Sequence, residues 1–297
     1  MKSRSRKRGF TLVELLVVIS IIALLLAIII PSMNKARETA KRVICSNQQK
    51  EIARAISMYA DAWDQKMPFY GGKDPSFADP YDCEETPGCA DKDNCPGDEK
   101  HPYAVFRADK QEWWRNGNVE DPYPLKLGCL YAASIITDAK LFYCPSNKEG
   151  QYKFESYYNP KPWGRLPQVF NTENNMNQWV RVGYTYYPVD GTMPPSAMCF
   201  NGRMQGPKYT ARRFDKLDPH IPYLADVMWY RATMSHKTKD SYAINAAFKD
   251  THVVYVNDWR LFSDNEEADP LQLWPQWEAR KLDFSYFYYN FLKKVQP

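Results

Sequence analysis

An α+β fold is predicted, with one long N-terminal helix leading into a head of short antiparallel strands. Three observations predict it. Residues 10–30 form an apolar run of 21 that holds a single charge, Glu14. An amphipathic pattern continues from that run to about Asp64. From Met67 the chain reads as short β-rich runs broken by turns, with 22 prolines in the whole sequence and few long helical periods.

The bulk numbers set the frame. A chain of 297 residues accommodates a terminal element plus one sizeable or two small domains. Charged residues at 25% and hydrophobic residues at 44% exclude a disordered chain. The net charge of +4 is local: Lys2, Arg4, Arg6, Lys7 and Arg8 lie in residues 1–9, and without those five the remainder stands at −1. Nothing in that balance calls for a nucleic-acid partner. The seven cysteines are Cys45, Cys83, Cys89, Cys95, Cys129, Cys144 and Cys199, so one at least stays unpaired within a monomer. Their connectivity is not legible from spacing.

The first element is a basic segment, residues 1–9, followed by a membrane span over 10–31. At 1.5 Å per residue the apolar run reaches roughly 30 Å, the thickness of a hydrocarbon core. The positive-inside rule leaves the N-terminus in the cytoplasm and exports the residues beyond Pro31. A secretory signal peptide fits poorly, because its apolar region is about 7–15 residues long and precedes a small-residue cleavage site. A plain anchor leaves Glu14 unexplained, since an acid within a spanning helix costs roughly 2.5–3.5 kcal/mol.

The string Arg8-Gly9-Phe10-Thr11-Leu12-Val13-Glu14 closely resembles the prepilin signal of type IV pilins and type II secretion pseudopilins. That resemblance implies that a prepilin peptidase cuts between Gly9 and Phe10, that Phe10 is then methylated on its amine, and that Glu14 serves assembly. It implies a pilin-like fold, in which one helix is both filament core and head core. It also implies its partners: the peptidase, other pilin-like subunits in a homo- or hetero-oligomer, an inner-membrane assembly platform and membrane lipid. The location implied is a bacterial inner membrane, crossed once, with the head exported to the periplasm or cell envelope. Cleavage would create a cationic amine at Phe10 for Glu14 to pair with. Breaking a charge pair in a low-dielectric core costs about 3–5 kcal/mol, so such a pair sets register.

The amphipathic helix spans residues 32–66. Ala36, Ala40, Val43, Ile52, Ala55, Ile56, Tyr59 and Trp63 recur at spacings of three and four, opposite Lys35, Arg37, Glu38, Lys41, Arg42, Lys50, Glu51 and Arg54. The stripe reads as core packing against the head, and Cys45 beside it as a small buried apolar residue.

The head occupies residues 67–297. Within 128–147 a short helix is expected from Leu130 to Ile136, then a strand to Cys144-Pro145. The phrase Leu-Phe-Tyr-Cys-Pro-Ser (141–146) resembles a stretch of pilin-like proteins from the planctomycete–lentisphaera–verrucomicrobial group. Those carry a C-terminal histidine followed by Asp-Gly at a hairpin. Here Ala243–Phe248 and His252–Val256 flank Lys249-Asp250-Thr251, so a hairpin is expected, with Asp250 bonding its own backbone. Two departures stand out. Thr251 replaces the glycine, which disfavours a turn needing positive φ there. His236 lies 14 positions before Asp250, farther than in that group. The tail at 284–292 reads as a last strand.

Candidate chemistry is sparse. In the loop 82–100, Cys83, Cys89 and Cys95 are six apart, which suits a disulfide better than the C-x2–4-C of zinc sites. Asp91, Asp93, Asp98 and Glu99 supply oxygen ligands of the kind calcium takes, but without EF-hand spacing. The four histidines include no i, i+4 pair, and no H-E-x-x-H, G-x-S-x-G or glycine-rich phosphate loop occurs. The chain therefore reads as a structural subunit and not an enzyme, with no required cofactor. The competing class is a membrane-tethered binding module, in which the acidic loop takes calcium or the tryptophans stack on glycan, with no filament.

Overall fold

The computed structural model describes residues 12–68, 104–107, 123–124, 126–148, 150–157, 179–189, 211, 213–228, 231–237, 242–263 and 290–295. The chain divides into two units, Met1–Val43 and Ile44–Pro297. Helix α1, Leu12–Ala62, contributes to both.

In the first unit, Leu12 to Ile30 are all exposed, and the segment is long and apolar enough to cross a membrane. Its polar atoms are dealt with locally. Ser20 Oγ donates to the Leu16 carbonyl at 2.8 Å, the i−4 bond that satisfies a hydroxyl in an apolar setting. Pro31 sits inside α1 and does not end it. It withholds one backbone donor from the preceding turn, and the flanking helix formers carry the helix through.

In the second unit, α1 buries Cys45, Gln49, Ile52, Ala53, Ala55, Ile56, Tyr59 and Ala60. The expected stripe is thus correct from Ile52 onward, with Trp63 packed on the core. Ala36, Ala40 and Val43 are exposed. The helix ends where Asp64 and Gln65 take left-handed φ of 49° and 63° and Gln65 N–H donates to the Ala60 carbonyl at 2.7 Å.

Among the described residues every strand pairing is antiparallel. β1 (Ala104–Arg107) is flanked by β2 (Tyr123–Pro124) and β3 (Trp179–Arg181). The larger sheet joins β4 (Tyr184–Tyr186), β5 (Leu224–Asp226), β6 (His236–Lys237), β7 (Tyr242–Ala247) and β8 (Val253–Val256). β7 is its organising strand and pairs with β5, β6 and β8. Its two faces feed different cores, as strand alternation requires. Ala247 joins Tyr184, Leu224 and the α1 residues. Ile244, Ala246 and Phe248 join Phe291, Leu292 and Val295.

Three expectations are corrected. The segment before Cys144 is a 3-10 turn, Ala139–Phe142, and not a strand. Asp138 accepts from Lys140 N–H at 2.9 Å, and that cap nucleates a turn in place of extension. The short helix, α2, spans Gly128–Ala132 and stops at Ser134, whose φ is 57°. Of the tail, residues 290–294 are helical, with Phe291 and Leu292 buried.

The β7–β8 hairpin is present, and Asp250 Oδ1 accepts from His252 N–H at 3.1 Å as expected. The turn nevertheless uses positive φ at Thr251, 69°, despite the missing glycine. Thr251 N–H to the Phe248 carbonyl (2.9 Å) and Phe248 N–H to the His252 carbonyl (3.0 Å) hold it there.

Candidate functional site

Two places are candidates for chemistry. The first is the start of α1. Glu14 is exposed and lies in the first turn, where the positive end of the helix dipole favours a carboxylate. Gly9 and Phe10 lie outside the described residues, as do Cys83, Cys89, Cys95, Asp91, Asp93, Asp98 and Glu99.

The second is a buried polar cluster where α1 meets the larger sheet, and spacing alone did not expose it. Cys45 is not a plain apolar residue. It forms a disulfide with Cys144, 99 positions on, with the Cα atoms 5.2 Å apart. Four residues along the helix, on the same face, comes Gln49. Its Nε2 donates to Asp226 Oδ1 at 3.0 Å and to the Asn245 carbonyl at 3.2 Å. Its neighbour Gln48 accepts from the Tyr184 hydroxyl at 2.7 Å.

The sheet register explains Asp226. β5 pairs with β7 at Ala246 and Ala247, and β6 pairs with β7 at Tyr242 and Ala243. Between the two registers Asn245 needs another acceptor for its backbone N–H. Asp226 Oδ2 supplies it at 2.6 Å and also accepts from Asn245 Nδ2 at 3.1 Å. Asn245 Nδ2 lies 3.2 Å from His236 Nε2. That nitrogen is also 3.5 Å from Asp226 Oδ2 and 3.6 Å from Cys144 Sγ.

Gln48 is half-buried, and the others are buried: Asp226, Cys45 and Gln49 at 0% exposure, His236 at 2%. Burial pushes the Asp226 carboxyl up, against the lowering effects of His236 and of the bonds from Asn245 and Gln49. Burial, then the charge of Asp226, pushes the Tyr184 hydroxyl well up. Gly183 lets this packing close: a Cβ there would meet the Cys144 backbone nitrogen at 2.7 Å. The arrangement fastens helix to sheet by one covalent bond and a shared carboxylate. Cys129 remains a buried thiol, pushed up to about 12 by that burial.

Sequence signals for this cluster existed. Gln49 interrupts the series Cys45, Ile52, Ile56 and Tyr59, and Asp226 interrupts Ile-Pro-Tyr-Leu-Ala-Asp-Val-Met (221–228). A polar residue within an apolar stripe needs a buried partner.

Comparison with known proteins agrees with the N-terminal reading. The family described as the prokaryotic N-terminal methylation motif matches residues 4–30. A family described as a protein of unknown function (DUF1559) matches residues 34–181. The chain is 36% identical over 56 residues to the type II secretion system core protein G of Pseudomonas aeruginosa. That match covers 19% of this chain and 39% of the relative's length. No solved structure matches. With a methylation motif at its start, a long apolar helix and an antiparallel head, the chain has a pilin-like α+β architecture and is similar in its N-terminal part to a type II secretion pseudopilin.

Proposed function

We propose that the protein is a structural subunit of a type II secretion or type IV pilus-like filament. A prepilin peptidase removes residues 1–9, the Phe10 amine is methylated, and Phe10–Ile30 holds the subunit in the inner membrane until assembly. The observation that carries this reading is the methylation-motif match over residues 4–30, which covers Gly9, Phe10 and Glu14 together. Two others support it. Apart from Glu14 and Ser20, Leu12–Ile30 present an apolar surface suited to lipid or to neighbouring helices. The Cys45–Cys144 disulfide suits a head exported to an oxidising compartment. The type II secretion likeness supports pilin-like subunits as partners.

In the filament, Glu14 of one subunit pairs with the Phe10 amine of another or of its own chain. Cysteine crosslinking along 16–24 in membranes tests this. A ladder of multimers is expected, lost in Glu14→Ala and in Glu14→Gln. Ladders unchanged in both variants would contradict the role of Glu14, and the absence of any ladder would contradict the filament.

A further inference from the structure

We propose that Cys45, Cys144, Asp226 and His236 form a metal site in the dithiol form of the chain, taking a divalent cation of the zinc class. Disulfide and metal are then alternative cross-links at one place. The ligand atoms of all four lie within 4.8 Å of one another, and all four residues are buried. A tetrahedral zinc centre with bonds of about 2.0–2.3 Å places its ligands roughly 3.3–3.8 Å apart. His236 Nε2 already stands 3.6 Å from Cys144 Sγ and 3.5 Å from Asp226 Oδ2. The changes required are the opening of the sulfur pair and the release of Asn245 Nδ2 from His236 Nε2, 3.2 Å away.

The donor set fits the cation. Two thiolates and an imidazole favour zinc over the hard cations, and a carboxylate completes four-coordination. The surroundings are those of a metal site, because ligating carboxylates are normally held by further hydrogen bonds. Gln49 holds Asp226 Oδ1 and Asn245 holds Oδ2. Gln49 Oε1 and Asn245 Oδ1 are buried beside them and accept no hydrogen bond among the described residues. No sequence spacing reveals the set, since its members stand at 45, 144, 226 and 236.

Binding needs no oxidant or reductant. Newly made chain carries both cysteines as thiols. Each thiol releases one proton as its sulfur bonds the cation, so the thiols give up two protons for each cation bound, and Asp226 binds as its carboxylate, releasing its proton where it carries one.

The test uses the full chain in detergent. Dithiothreitol supplies two electrons and two protons to the disulfide, and is removed under argon before titration with cobalt(II), the spectroscopic stand-in for zinc. One equivalent is expected to give sulfur-to-cobalt charge-transfer absorption and intense tetrahedral ligand-field bands. Zinc displaces both, and the oxidised chain shows neither. A chain with Cys83, Cys89, Cys95, Cys129 and Cys199 changed to Ser keeps the bands. Cys45→Ser and His236→Ala lose them, and Asn245→Ala weakens cobalt binding by about 10–100-fold. A reduced chain that is unfolded alone but regains its near-ultraviolet circular dichroism with zinc also supports the site. No bands and no zinc-dependent refolding would overturn it. So would bands that survive the double change Cys45→Ser, Cys144→Ser, which would assign the metal to other cysteines.

Discussion

Gln49 on α1 donates its side-chain N–H to Asp226 on β5 at 3.0 Å, inside the contact between helix and sheet. The same carboxylate caps the backbone of Asn245 on β7. One acid therefore serves two elements, and its protonation is tied to the folding of the head.

That tie has a sign. Burial raises the Asp226 carboxyl above its ordinary 3.8, so the folded head holds a proton that the unfolded chain releases. Stability from this group is fully present below pH 3.8 and declines as pH rises through the folded value. His236 and Tyr184 are the titratable groups that face it. Urea denaturation of the oxidised chain at a series of pH values should show this decline, and Asp226→Asn should flatten it. An unchanged slope in the variant would contradict the assignment.

The disulfide between Cys45 and Cys144 closes a loop of about a hundred residues. Cross-links over such loops stabilise mainly by restricting the unfolded chain, and their removal costs about 2–5 kcal/mol. Cys144→Ser should lower the stability of the head by that amount under oxidising conditions, read from its denaturation midpoint. Metal-free wild type treated with reductant should fall to the same level.

Thr251 holds a φ of 69° in the β7–β8 turn, where its branched side chain is strained. Thr251→Gly should relieve that strain by more than glycine's greater unfolded-state freedom costs, a net gain of about 1 kcal/mol. Thermal unfolding measures it, and a lower melting temperature would contradict the presence of strain.

Much of this is legible in the sequence. Residues 10–30 show their length and apolarity directly, and the helical pattern of α1 runs out near Asp64, where the helix ends. The β7–β8 hairpin is marked by the two β-rich runs, 243–248 and 252–256, around Asp250. The features that sequence hides depend on residues far apart in the chain. Asp226 finds Asn245 only after β5 pairs with β7, and Cys45 finds Cys144 and Gln49 finds Asp226 only after α1 docks on the head. At Thr251 the hairpin hydrogen bonds override local preference. At Ala139–Phe142 a single aspartate cap overrides an apolar, strand-like run.

In the proposed maturation, residues 1–9 are a leader whose removal creates the amine that Glu14 meets. Mass spectrometry of the N-terminal peptide, from full chain recovered from its native membrane, tests this most directly. The expected product is a chain that begins at Phe10 with an N-methylated amine. A chain that begins at Met1, or one cut after the apolar run, would contradict it.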